Sequence, residues 1–161
     1  MNYHDITKED MLNGDGLRTV LWVAGCNHKC NGCQNPITWD EKGGLPFDKE
    51  AEDELFDALK KECIDGITFS GGDPLFPQNR SEVFRLIKKI RKELPQKTIW
   101  LYTGYQWEQV RDLDGIEDID VLIDGEFVQN LNDNNLHWIG SSNQRVINVK
   151  ETLASGNVVL H

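Results

Sequence analysis

At 161 residues the chain suffices for a single domain, 1–161, with a sizeable buried core, and its net charge of −10 excludes nonspecific nucleic-acid binding, which needs a basic footprint. No apolar run is long enough to cross a membrane, and residues 1–6 have neither the basic region nor the apolar core of a signal peptide. Four cysteines, three of them clustered, do not make a secreted disulfide framework, so a reducing cytoplasm is the expected setting.

Residues 1–12 are weakly patterned and predict a short extended segment laid against the core. Asn13-Gly14-Asp15-Gly16-Leu17-Arg18 alternates glycine with polar residues, which indicates a turn with exposed backbone. It runs into Arg18–Ala24, β-branched and aromatic, a buried strand. Arg18 is a candidate to pair with a buried carboxylate or to reach a ligand.

That strand delivers its C-terminal end into Gly25-Cys26-Asn27-His28-Lys29-Cys30-Asn31-Gly32-Cys33. Gly25 and Gly32 let the loop turn tightly so that three sulfurs converge. Thiolates at this spacing suit an iron-sulfur cluster, zinc or copper(I). On spacing alone a three-thiolate cluster and a structural zinc are even, the zinc taking His28 or Cys63 as its fourth ligand. Three unrelated free cysteines are the weaker third reading. Three thiolates leave one corner of a four-iron cluster open, and an open metal position implies chemistry rather than scaffolding. His28 is expected to be exposed or beside the ligands rather than a ligand itself.

Asn35-Pro36 marks a turn, with Trp39 packed over the loop, and Gly43-Gly44 a joint. Asp48 is a candidate N-cap for a helix to about Lys61, on which Ala51, Leu55, Phe56 and Leu59 recur with helical period. Cys63 is expected as a small buried hydrophobe. Gly66–Ser70 is a strand, followed at once by Gly71-Gly72-Asp73-Pro74. There the glycines expose backbone groups and Asp73 adds an anionic acceptor, together suited to an ammonium group. The bland reading is an ordinary strand-to-helix turn. Asn79 and Glu82 suggest a capping box for a helix to about Glu93. Thr98–Tyr102 is a strand ending in Thr103-Gly104-Tyr105, and a short helix is expected over 107–112. Asp120–Ile123 is a fourth strand ending in Asp124-Gly125, Arg145–Val149 a fifth, and 157–160 a short terminal one. Asp124 is a candidate for a basic group or a ligand hydroxyl, or else a turn former. Thr103 is a rim hydroxyl or a plain strand end. Ser141–Arg145 is a cofactor-binding run or a solvated loop.

Strands alternate with amphipathic helices, which predicts an α/β fold with a largely parallel sheet. Too few strands are present for a closed eight-stranded barrel, so a partial, open (β/α) barrel is expected. The polar strand exits should then share one rim, where ligands bind in such sheets.

Cys26-Asn27-His28-Lys29-Cys30-Asn31-Gly32-Cys33 resembles the three-cysteine motif of the radical S-adenosylmethionine (SAM) enzymes. Among these it is most similar to the activating proteins of anaerobic, class III ribonucleotide reductases. Gly14–Arg18, Asn35-Pro36 with Trp39, Ser70–Leu75, Asp120–Phe127 and Gly140–Arg145 fit the same pattern, from about residue 13 to 149. The resemblance implies that Cys26, Cys30 and Cys33 ligate a [4Fe-4S] cluster whose fourth iron is chelated by the methionine part of SAM. It implies that Gly71, Gly72 and Asp73 receive the SAM amino group, Asp73 standing where the broad superfamily usually has Glu. Thr103 and Asp124 fall where related activases place residues near SAM or the substrate glycine. Flavodoxin or a similar low-potential donor would reduce the cluster. A 5′-deoxyadenosyl radical would then take a hydrogen from a glycine of the reductase large subunit, leaving a glycyl radical. Activation of another glycyl-radical enzyme, or a non-catalytic zinc module, are the alternatives. Trp39, Trp107, Phe127 and Trp138 are candidates for partner contact or core packing.

Overall fold

The computed structural model describes all 161 residues. Seven strands form one open sheet: β1 (Asn2–Asp10), β2 (Arg18–Val23), β3 (Leu45–Pro46), β4 (Gly66–Gly71), β5 (Thr98–Tyr102), β6 (Val121–Asp124) and β7 (Arg145–Asn148). Their spatial order is β3-β1-β2-β4-β5-β6-β7. The helices are α1 (Lys49–Leu59), α2 (Pro77–Glu93), α3 (Trp107–Val110) and α4 (Val149–Ser155), with short 3-10 turns at 36–39, 116–118 and 129–131. No helix is long and apolar enough to cross a membrane.

The sheet is less parallel than its alternation of elements predicts. Only the central pairings β2/β4, β4/β5 and β5/β6 are parallel. On one side β1 pairs antiparallel with β2 and β3, and on the other β7 pairs antiparallel with β6. The weakly patterned N-terminus is thus a nine-residue strand. Its burial is mixed because it lies toward one side of the sheet, and that erases the period a reader looks for.

Central strands are buried on both faces, hence their near-continuous apolar runs. Alternate residues divide between two faces. Leu21, Phe69, Leu101 and Leu122 pack with Leu55, Leu59, Ile87 and Ile90 of α1 and α2. Trp100, Val121 and Ile123 point to the other face, against Tyr102, Trp138, Ile139 and Val146. Burial of each large apolar side chain contributes about 1.5–3 kcal/mol. Phe69→Ala, at a position with no exposure, would remove about 3–5 kcal/mol.

Asp48 caps α1 as expected, accepting from the Ala51 amide at 3.0 Å, and the helix stops at Leu59. The capping box expected at Asn79 and Glu82 does not form. Pro77 starts α2 two residues earlier, where its fixed φ suits the first turn and its missing N–H costs nothing. The freed Asn79 amide donates instead to Ala24 O (2.9 Å) and Asp73 O (3.1 Å), tying the end of β2 to the turn after β4. Cys63 is exposed rather than buried; Ile64 takes the interior position, and Lys97 donates to the carbonyls of Lys61 and Ile64 around it. The expected strand at 157–160 is a single bridge, Ile147 to Leu160, preceded by α4, which Asn148 caps.

Arg18 meets neither expectation. It is fully buried and pairs with no carboxylate. Its five N–H donors go to Thr68 Oγ1, Asp15 O, Thr98 Oγ1, Ile67 O and Thr98 O, at 2.6–3.1 Å. The Trp100 ring lies 5.3 Å away. Burial pulls the guanidinium down to about 10, which still leaves it charged at neutral pH. Arg18 staples the Gly14–Gly16 turn to the starts of β4 and β5, away from the rim.

Candidate active site

The ends of β2, β4, β5 and β6 meet around one cavity of about 530 Å³. Cys26, Cys30 and Cys33 line it together with Gly71, Gly72, Asp73 and Thr103. Trp22, Tyr102 and Trp138 extend its wall along the inner face of the sheet, and Trp39 and Phe127 also border it. Trp107 belongs to the core instead, which removes it from the candidates for partner contact.

The cysteine loop is held at both ends by backbone. Gly25 and Cys26 donate to Thr38 O (2.8 Å) and Trp39 O (3.1 Å), and Cys33 donates to Cys30 O at 3.1 Å. Gly25 (φ 102°) and Gly32 (φ 74°) occupy the left-handed region that glycine accepts without strain. All three cysteines are partly exposed, and burial pushes the Cys26 and Cys30 thiols up. A metal able to displace the thiol protons is what such a loop is suited to. Three thiols on one cavity wall match the donor set of a polynuclear cluster, which takes one thiolate per iron.

Gly71, which ends β4, and Gly72 just after it act differently from the expectation. Gly72 N–H donates to Val23 O (2.7 Å) and Asp73 N–H to Gly25 O (2.8 Å), so these two amides hold the end of β2 and the first residue of the cysteine loop rather than facing a ligand. A Cβ on Gly71 would stand 2.7 Å from backbone atoms of Val23, and one on Gly72 2.5 Å from Gly25 O. The backbones approach too closely for any side chain.

Asp73 is buried. It accepts from the Leu75 amide (2.8 Å), the Thr103 hydroxyl (2.9 and 3.0 Å) and the Gly104 amide (3.0 Å), and it contacts His28 Nε2 at 2.8 Å. His28 Nδ1 lies 2.8 Å from Glu126 Oε1. The hydrogen bond His28 donates to the Asp73 carboxylate pushes the imidazole up, with Glu126 adding to it against burial. Asp124 is equally buried but outside this group. It takes the Trp107 amide (2.7 Å) and the Arg145 guanidinium, which also pairs with Glu108 (2.9 Å). The run 141–145 is neither a plain solvated loop nor wholly at the cavity. Ser141 accepts from Val128 N, and Gln144, which lines the cavity, bridges Gly140 N and Gly125 O.

A family model described as a 4Fe-4S single cluster domain matches residues 12–147. The chain belongs to this iron-sulfur family. It is 45% identical over 146 residues to the anaerobic ribonucleoside-triphosphate reductase-activating protein of Enterobacteria phage T4, covering 91% of this chain and 93% of the relative. The protein of that name from Escherichia coli K12 is 45% identical over 150 residues, covering 91% and 97%. The one from Vibrio cholerae is 43% identical over 148 residues, covering 89% and 96%. The three cysteines that spacing singled out all line the cavity. His28 lies beside the cysteines, one of the two places expected for it, while the parts that Glu126, Gly104 and Asn79 play escaped sequence reasoning, because nothing in their local pattern names a partner 31 to 98 residues away.

Proposed function

We propose that the chain is an iron-sulfur, SAM-dependent activase that generates a glycyl radical on an anaerobic ribonucleotide reductase. The observation that carries this is the joint lining of one cavity by three thiols and the Gly71-Gly72-Asp73 turn, in a chain of the family just described. Cys26, Cys30 and Cys33 would hold a [4Fe-4S] cluster, one thiolate to an iron. The wall that Gly71, Gly72 and Thr103 form, held in place by the buried Asp73, would face the methionine part of SAM, and Asp124 supports the rim from behind through Arg145 and Trp107. A bound and reduced cluster would supply the single electron needed for reductive cleavage of the SAM sulfonium to methionine and a 5′-deoxyadenosyl radical, the species that would take a hydrogen atom from a glycine of the reductase.

The chain's own residues bind, orient and exclude water. Trp22, Tyr102 and Trp138 give the cavity an apolar wall, which suits a species that would attack any stray C–H bond. The electron comes from flavodoxin or a comparable low-potential carrier, and the partner is the reductase large subunit. A reducing cytoplasm is the setting this chemistry requires. The test is anaerobic reconstitution with iron and sulfide, reduction, addition of SAM and quantification of 5′-deoxyadenosine. Cleavage is expected in the wild type and not in Cys30→Ala. A colourless, zinc-bound protein that leaves SAM intact would overturn the reading.

A further inference from the structure

The inference here rests on the SAM-cleaving function above and concerns how the cluster loop and the SAM wall are kept in register. His28 lies inside the cysteine loop, yet its side chain is only 9% exposed. One ring nitrogen meets Asp73 and the other meets Glu126, each at 2.8 Å. The Tyr105 ring packs edge-on at 4.6 Å between centroids. The imidazole therefore joins the loop after β2 to the turn after β4 and to the segment after β6.

Asp73 is the second half of the device. A carboxylate offers about four lone-pair sites. Leu75 N, Thr103 Oγ1, Gly104 N and His28 Nε2 take them. A side chain 1% exposed with those partners has no lone pair to offer the SAM ammonium, which needs other acceptors. Gly104 supplies the room. A Cβ at this position would stand 2.5 Å from His28 Cδ2 and 2.7 Å from Nε2. Space for the imidazole, not an unusual φ, is what calls for glycine there.

We propose that His28 is a positioning residue that latches the cluster loop onto the wall of the SAM cavity through Asp73, so that Asp73 works by fixing geometry rather than by touching SAM. The latch has no metal-ligand role and leaves the three thiols to hold the cluster.

The test uses His28→Ala, His28→Gln, Gly104→Ala and Asp73→Asn beside the wild type. Amide exchange is followed by mass spectrometry on the full chain before cluster loading, when no cluster pins the loop. Iron content and SAM affinity, the latter by equilibrium dialysis, are measured on the reconstituted protein. His28→Ala and Gly104→Ala should both speed exchange in 26–33 and 103–105 while 66–70 stays protected. Both should keep the wild-type iron content and bind SAM about tenfold more weakly, the loss of about 1.4 kcal/mol expected for a charge-assisted hydrogen bond. His28→Gln, whose side-chain N–H can donate to Asp73, should recover part of both effects. Wild-type exchange and affinity in His28→Ala and Gly104→Ala would overturn the latch. Loss of iron in His28→Ala as severe as in a cysteine variant would also overturn it, since His28 would then be a ligand. Weakened SAM binding in Asp73→Asn without faster exchange would assign that carboxylate to direct contact, again against the proposal. Exchange needs no SAM chemistry, so a wild type that fails to cleave SAM would sink the function and leave the latch to be judged on its own arm.

Discussion

Asp73 and Asp124 look alike in the sequence: each follows a buried apolar strand and each precedes or follows a glycine at a turn. Both side chains are 1% exposed. Their partners separate them. Asp124 is the last residue of β6 and stands directly across the antiparallel ladder from Arg145. Register alone commits its charge to that guanidinium. Asp73 lies two residues beyond the end of β4, off any ladder, and its partners come from the rim: Thr103, Gly104 and His28. A strand-exit carboxylate is available to a ligand site only where no neighbouring strand has already claimed it.

The sharpest way to break this comparison is to truncate each acid. Asp73→Ala should keep its iron and lower the rate of SAM cleavage about a hundredfold, the penalty expected when reacting groups are misplaced by about 1 Å. Asp124→Ala should do the reverse. It strips Arg145 and the Trp107 amide of a buried partner, costing about 2 kcal/mol in chemical denaturation. That figure sits below the range for a fully buried pair because Arg145 is a third exposed and keeps Glu108. Cleavage per bound iron should stay near wild type. A stability loss confined to Asp73→Ala, with a cleavage loss confined to Asp124→Ala, would invert the account.

Thr103→Val sharpens the comparison from the Asp73 side. It removes one of four donors while keeping shape, and should cost about 1 kcal/mol, or about fivefold in SAM affinity by equilibrium dialysis. The smallest effect is expected far from the rim. Glu52 sits between Arg85 and Lys89. Burial raises its carboxyl, but the hydrogen bonds from those two side chains outweigh that and hold it below its usual 4.5. The folded-state value is depressed, so its stabilisation is present above about pH 4.5 and is lost as pH falls through the folded value. Glu52→Gln should flatten that acid limb in a pH series of unfolding curves, cost about 0.5 kcal/mol at neutral pH and leave SAM binding unchanged.

The strands over 18–24, 66–70, 98–102 and 120–123 were legible because they are buried on both faces, which writes apolar runs into the chain. The cysteine spacing and the polar strand exits placed the rim correctly. A partial open barrel with a largely parallel sheet was expected; the sheet is open, but half of its strand pairings are antiparallel. Pairing direction on the outer strands is set by long-range contacts, to which local periodicity is blind. The same limit hid the latch. Sequence places the histidine between the cysteines either in solvent or beside the ligands, but not against Asp73 and Glu126. Gly104 carried a readable hint, since a glycine just after a strand with no turn requirement usually marks a close approach. Gly71 and Gly72 line the cavity as expected, but their lack of side chains also serves close contact between backbones, which the sequence does not show.

The most direct test of the central claim is to mix the reconstituted, reduced protein with SAM and an anaerobic ribonucleotide reductase and record EPR spectra. The account predicts a glycyl-radical signal on the reductase that requires SAM and disappears in Cys26→Ala, Cys30→Ala or Cys33→Ala. Cleavage of SAM with no radical on the reductase would contradict the assigned partner, and a radical that survives loss of any of the three cysteines would contradict the assigned cluster.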